Sequence, residues 1–217
     1  MRKNILCGII FSSFTLLLAA KSLAQNIEFD IGIDRLISTV KFYHKGKEIY
    51  TGQENNVGSQ YSLGVAFPVY NFFRLRSEVG YNTARTYVQI SYTYVEGGKT
   101  KSRYIRPSLL FNEKIYFGLL PEVRYSTSDI EMYINGGALI ASESSEEFRD
   151  FNVQATKDKW VFGYKFTGGL IFKYKTLGIK FSVGSTMYAK TLLFTEIHPY
   201  LQYKNTSIGL GLVFNLK

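Results

Sequence analysis

The stretch Ser59 to Asn82, SQYSLGVAFPVYNFFRLRSEVGYN, alternates apolar and polar residues through two runs joined by almost no turn. Successive side chains of a β-strand point to opposite faces. Tyr61, Leu63, Val65, Phe67 and Val69 therefore share one face of the first run, and Phe73, Leu75, Val79 and Tyr81 share one face of the second. The opposite faces carry Gln60, Ser62, Gly64, Arg74, Arg76, Glu78 and Asn82. The pattern reads as a hairpin with one apolar side and one charged side.

The same period recurs along most of the chain. Ile27, Phe29, Ile31 and Ile33 oppose Glu28, Asp30, Gly32 and Asp34. Ile105, Pro107, Leu109 and Phe111 oppose Tyr104, Arg106 and Ser108, while Ile115, Phe117, Leu119 and Val123 oppose Gly118, Glu122 and Arg124. Trp160, Phe162, Tyr164, Phe166, Leu170, Phe172 and Tyr174 face away from Gly163, Lys165, Thr167, Gly169 and Lys173. Leu177, Ile179, Phe181, Val183 and Met187 oppose Gly178, Lys180, Ser182, Gly184 and Thr186, and the last run sets Ile208, Leu210, Leu212 and Phe214 against Ser207, Gly209, Gly211 and Asn215.

No charge falls on these apolar faces, whereas the polar faces hold both signs. A secreted sandwich would bury the apolar faces and wet the polar ones; a membrane barrel does the reverse with an identical period. Glycine and small residues gather on the polar faces, as a narrow lumen requires, and aromatic rings dominate the apolar faces, as a lipid-facing wall with interfacial girdles requires. The pattern predicts an all-β fold, a closed antiparallel up-and-down transmembrane β-barrel, with the secreted sandwich as the alternative.

Composition agrees. The chain has 17 Tyr and 17 Phe but only 4 Pro in 217 residues, and its mean hydropathy of −0.05 is that of a water-soluble protein. No helix-length apolar run follows Ala24. A chain of this kind enters a membrane only through closed strands, which satisfy their backbone hydrogen bonds internally.

About eight strands are expected, with ten as the alternative if Ile130 to Ala141 and Ile197 to Tyr203 are strands of their own rather than extensions or loop structure. Tight connections at Asn71, Asn112 to Lys114 and Lys175 to Thr176 suit the periplasmic side. Tyr43 to Gly58, Glu96 to Lys101 and Ser142 to Lys159 suit longer external loops.

The N-terminus reads as an export signal. Arg2 and Lys3 precede the apolar Ile5 to Ala20, and Ser22-Leu23-Ala24 offers small residues for cleavage. The apolar run is shorter than the roughly 20 residues of a spanning helix. The expected division is a signal peptide over residues 1–24 and an outer-membrane barrel domain over residues 25–217. Cys7 lies within the signal, so the mature chain has no thiol for a disulfide or a metal site. Loss of Arg2, Lys3 and Lys21 lowers the net charge from +9 to +6. Lys45, Lys47, Lys99, Lys101 and Arg103 are placed to meet anionic head groups, making outer-membrane lipids and lipopolysaccharide the expected partners. No nucleic-acid-binding motif accompanies the charge.

In their order, the signal, the hairpin GSQYSLGVAFPVYNFFRLRSEVGYN, RYIRPSLLF, MYINGG and the terminal SIGLGLVFNLK resemble the PorT-like small outer-membrane β-barrel proteins of Bacteroidota. The resemblance covers most of the mature chain and implies an outer-membrane address with no assigned chemistry. Two departures stand out. Arg106 precedes Pro107 where an apolar residue is expected, and the chain ends in Leu216-Lys217 instead of an aromatic, leaving Phe214 as the nearest candidate for a barrel-assembly signal.

No catalytic, cofactor-binding or metal-ligating residue is singled out. Outer-membrane lipid A deacylases carry a His-x-Ser pair, but His44 is followed by Lys45-Gly46 and His198 by Pro199-Tyr200. Glu196 beside His198 could orient a nucleophile, although a loop histidine next to proline is usually structural, and no spacing marks an omptin-like dyad. The acidic run Glu143 to Asp150 lacks the glycine and alternate-ligand spacing of a calcium loop and reads as a solvated charge run. The functional expectation is a non-enzymatic envelope barrel, structural or docking a protein partner. The alternatives are a narrow solute channel or a hydrolase of lipid A or surface peptides. N-terminal sequencing of the membrane-extracted protein is expected to begin at Gln25; a chain still carrying residues 1–24 contradicts the cleavage site.

Overall fold

Strand formation follows the alternation, and the computed structural model describes residues 27–44, 47–49, 51–148, 160–189, 191–192 and 200–216. Ten β-segments result: β1 Ile27–His44, β2 Lys47–Ile49, β3 Thr51–Tyr70, β4 Phe73–Glu96, β5 Lys99–Ser126, β6 Ile130–Phe148, β7 Trp160–Tyr174, β8 Leu177–Tyr188, β9 Thr191–Leu192 and β10 Tyr200–Leu216. Eight of them are the walls of an antiparallel barrel in the order β1-β3-β4-β5-β6-β7-β8-β10, and β10 returns to β1. That closing seam runs in unbroken register from Ile27 opposite Leu216 to Tyr43 opposite Tyr200. The short β2 and β9 pair only with the far ends of β1 and β10.

The closed barrel decides which face is which. Ile31, Ile33, Leu63, Val79, Phe162, Phe166, Val183, Ile208 and Leu210 are all exposed, whereas Glu28, Asp30, Arg76, Glu78, Glu122, Arg124 and Lys165 are buried. Apolar side chains form the outer wall and ions fill the inside, so the sandwich alternative is excluded.

The height of the wall fits a bilayer. A strand rises ~3.3 Å per residue and tilts by ~40° in a barrel, or about 2.5 Å of height per step. On β1 the outward residues from Ile27 to Ile37 are apolar except for Arg35, a span of ten steps or about 25 Å, which matches the ~25 Å expected for a lipid-facing barrel.

One end of the barrel gathers the described termini Ile27 and Leu216 with the short turns at Asn71–Phe72, Thr127–Asp129 and Lys175–Thr176. Lys175 takes a left-handed φ of 56° there. At the other end the strands are long, and the expected connections need correction. Asn112 to Lys114 is no turn: it lies inside the 28-residue β5, where its backbone stays paired with β4 and β6 across a register shift at Glu113/Lys114. Ile130 to Ala141 is neither loop nor extension but the body of β6. Tyr200 to Tyr203 simply begins β10, and 197–199 fall outside the described residues.

The external loops are correspondingly smaller. Within Tyr43 to Gly58, β1 ends, β2 forms and β3 starts at Thr51; within Ser142 to Lys159, β6 continues to Phe148, and 149–159 are outside the described residues. Glu96 to Lys101 shrinks to Gly97 and Gly98 with φ of 59° and 75°. Positive φ at both central residues is what a tight hairpin turn needs, and glycine supplies it without steric cost.

That turn caps an unusual projection. Ser91–Glu96 pair with Lys99–Tyr104, while the described part of β3 reaches only Ile90 and that of β6 only Leu110. The result, among the described residues, is a two-stranded ribbon standing above the barrel. At ~2.5 Å per step β5 climbs about 70 Å, nearly three times the hydrocarbon belt.

Leu210→Arg, in the middle of the outward belt of β10, is expected to destabilise the barrel in phospholipid vesicles by about 2–4 kcal/mol in a urea titration. An unchanged midpoint means that this wall meets water.

Candidate functional site

The inward residues of the long strands meet as one continuous chain of opposite charges. From β8, Lys180 lies 3.0 Å from Asp30 of β1, which also contacts Arg76 of β4. Arg76 Nε donates to Glu122 of β5 at 2.8 Å, and Glu122 accepts from Arg124 Nε at 2.5 Å. Arg124 and Arg74 approach Glu28 at 2.5 and 2.9 Å, as ion pairs rather than aligned hydrogen bonds. Arg124 also reaches Glu131 of β6 at 2.8 Å, and Glu131 contacts Lys173 of β7. The signs alternate along the path: Arg76 touches two carboxylates and Arg124 three, while Lys180, Arg74 and Lys173 at its ends each touch one.

A second group lies beside it. Glu78 accepts from Lys165 at 2.5 Å and from the Tyr116 hydroxyl at 2.6 Å. Asp34 accepts from Gln60 at 2.8 Å and Ser182 at 3.1 Å. Rings complete the filling, with Tyr133 below the Lys180 ammonium at 5.3 Å and Tyr188 below that of Lys114 at 5.3 Å.

The ions fit because the strand between them supplies little bulk. A Cβ on Gly64 would collide with both carboxylate and guanidinium of the Asp30–Arg76 pair. The space left among Asp34, Glu78, Lys165, Lys180 and Ser182 is on the scale of one water molecule. An eight-stranded barrel is filled by its own side chains, and here the filling is ionic.

Energetically the network is demanding. Each buried ion loses several kcal/mol of hydration, which short contacts on more than one side must offset. Arg76, wholly buried, has carboxylates from two strands. Asn135 adds a donor to Glu122 at 3.1 Å.

Sequence reasoning placed the right residues on the inward face, but it did not pair them. It also missed Glu131, Tyr133 and Lys114. Glu131 and Tyr133 alternate with Ile130, Met132 and Ile134, a signal that was readable. The histidines do not join the network in any described way: His44 ends β1 with its backbone opposite Lys47, and His198 and Glu196 lie outside the described residues. The acidic run enters β6 as far as Phe148, and Asp150 is outside the described residues. Of the expected rim cations, Lys99 and Lys101 are exposed on the ribbon and Lys47 lies in β2; Arg103 is in β5, and Lys45 is outside the described residues.

No protein-family model matches the sequence, and no curated protein matches it. Among solved structures, the outer membrane protein OprG from Pseudomonas aeruginosa aligns with a TM-score of 0.53 at 10% identity, over 88% of this chain and 96% of that one. The chain has the fold of a small outer-membrane β-barrel. The N-terminal β-barrel domain of Pseudomonas aeruginosa OprF aligns at 0.44, with 10% identity over 86% of this chain and 97% of the other. Neisserial surface protein A aligns at 0.45, with 9% identity over 86% and 96%.

Arg76→Leu strands two carboxylates in the lumen and is expected to cost about 3–5 kcal/mol of stability in a urea titration in vesicles. Lys99→Ala, on the exposed ribbon, is expected to stay within about 0.5 kcal/mol. Equal effects of the two substitutions mean that the lumen is hydrated rather than plugged.

Proposed function

We propose that the chain is a non-enzymatic, integral outer-membrane protein of the PorT-like kind, exported by the signal over residues 1–24, with a structural or assembly role exercised by docking an envelope partner. The observation that carries this reading is the ionic plug. The path Lys180–Asp30–Arg76–Glu122–Arg124 crosses the interior, so activity is left to the two ends of the barrel. The apolar belt supports the membrane address, and the export signal supports the outer membrane as the place where such a barrel lodges.

The long end offers the docking element. The ribbon of Ser91–Glu96 and Lys99–Tyr104 stands clear of a third strand among the described residues and carries Tyr92, Tyr94, Lys99, Lys101, Arg103 and Tyr104 in its sequence. Strand edges with unpaired amides and carbonyls add a partner's strand through backbone hydrogen bonds, and tyrosine with arginine is the composition of interface anchors.

Crosslinking outer membranes and purifying the intact protein in mild detergent is expected to bring down a stoichiometric envelope protein. Replacing residues 91–104 by a two-residue turn is expected to release that partner while the barrel keeps its heat-dependent gel mobility. Planar bilayers holding the pure protein are expected to show no steady conductance. A reproducibly partnerless barrel, or one that conducts, overturns the proposal.

A further inference from the structure

The outer wall carries two exposed cations at the upper part of its closing seam. On β1 the outward residues Ile27, Phe29, Ile31 and Ile33 are followed by exposed Arg35 and then exposed Ile37; on β10, Phe214, Leu212, Leu210 and Ile208 are followed by exposed Thr206, opposite Ile37, and Lys204. The register sets Arg35 opposite Ile208 on one side and Ser59 on the other, and Lys204 opposite Thr39. Both cations therefore stand on the outward face of the closing seam, with Thr206 between their levels. Four residues separate them along β10, about 13 Å, a span that two long side chains can close from either end.

The surroundings give this pair a direction. Lys41, opposite Gln202, adds a further positive charge to the same face. Among residues 27–41 of β1, 57–70 of β3, 177–188 of β8 and 204–215 of β10, no outward residue is a carboxylate. At the short-turn edge the wall is aromatic instead, with Tyr70, Phe72, Tyr125 and Tyr174 exposed, and two strands from β10 Trp160 and Phe162 hold the upper edge of β7. Arg85, exposed on β4 opposite Val57, is a further outward cation, two strands from β1.

Arg35 comes about 20 Å above Ile27, one outward residue below Ile37 at the top of the belt, a depth from which a long cationic side chain reaches the head groups. A cation facing lipid at that depth meets phosphate before anything else, and hydroxyls of Ser59, Thr39 and Thr206 stand ready as neutral donors. Arg presents a planar fork suited to phosphate oxygens, and Lys a point charge. We propose that the β1–β10 seam binds the phosphorylated head group of an outer-leaflet glycolipid, lipopolysaccharide, through Arg35 and Lys204. The bound lipid bridges the first and last strands and reinforces the closure of the barrel. This inference rests on the outer-membrane address, since the long-stranded end of such a barrel faces outward.

The test places the full mature chain in phosphatidylcholine vesicles containing lipopolysaccharide, or the same lipopolysaccharide stripped of its phosphates, and measures lipid retained per chain and the thermal unfolding midpoint. The phosphorylated lipid is expected to be retained and to raise the midpoint. Arg35→Ala/Lys204→Ala is expected to weaken apparent affinity about 25-fold, roughly fivefold for each basic residue near an anionic surface, with unchanged heat-dependent gel mobility. Equal retention by the double variant overturns the proposal. So does equal retention of the dephosphorylated lipid by the unmutated chain, an arm that needs no variant to fold. Cell fractionation separates the two levels of reading: absence from the outer membrane defeats the address, whereas a folded outer-membrane barrel indifferent to lipid phosphate defeats this site alone.

Discussion

Everything in this molecule depends on the pairing of its first strand with its last. The ladder from Ile27–Leu216 to Tyr43–Tyr200 leaves the barrel wall without an edge, so its backbone can sit in hydrocarbon with its amides and carbonyls satisfied. Closure also fixes an inside and an outside. With strict alternation, each residue of a strand is then committed either to lipid or to the lumen, and a one-residue slip would exchange the two sets. The apolar belt and the buried ions are two aspects of one register.

The lumen is where the cost of this arrangement falls. Ions held this close and this dry are worth keeping only when each is touched from several directions, and the structure meets that condition by drawing Glu28, Asp30, Arg76, Glu122, Arg124, Glu131 and Lys180 from different strands into one alternating path. Glycines on adjoining strands make room, Gly64 for the Asp30–Arg76 pair and Gly209 for Asp34. Among the described residues, side chains rather than open space occupy the centre of the barrel.

Much of this could be read from the sequence wherever strands cross the belt. In Ile27 to Asp34 and Ser59 to Asn82 every outward position is constrained by lipid, so the period is clean and the faces are placed correctly. Above the belt the constraint lapses. Around Asn112, Glu113 and Lys114 the outward residues are free to be polar, the alternation loses contrast, and a mid-strand segment with a register shift looks like a turn. The opposite effect hid β6: Tyr133, Leu139 and Ala141 point inward although they are apolar, because a narrow lumen accepts packing as well as charge. Pairing within the network was beyond sequence reading, since Asp30 and Lys180 are 150 residues apart. Which carboxylate meets which cation depends on the stagger of the strands, a quantity no single segment contains.

The reach of the Asp30 carboxylate has a consequence for how the barrel is made. Its partners come from β4 and β8, opposite walls that meet only once the sheet has curled round upon itself. Until then Asp30 and Lys180 keep their solvent, and an incomplete sheet has reason to remain at an aqueous boundary. Dehydration of the interior is thus a late, concerted event, and a barrel lacking one stave would harbour an unanswered charge at its heart: the chain proofreads its own completeness.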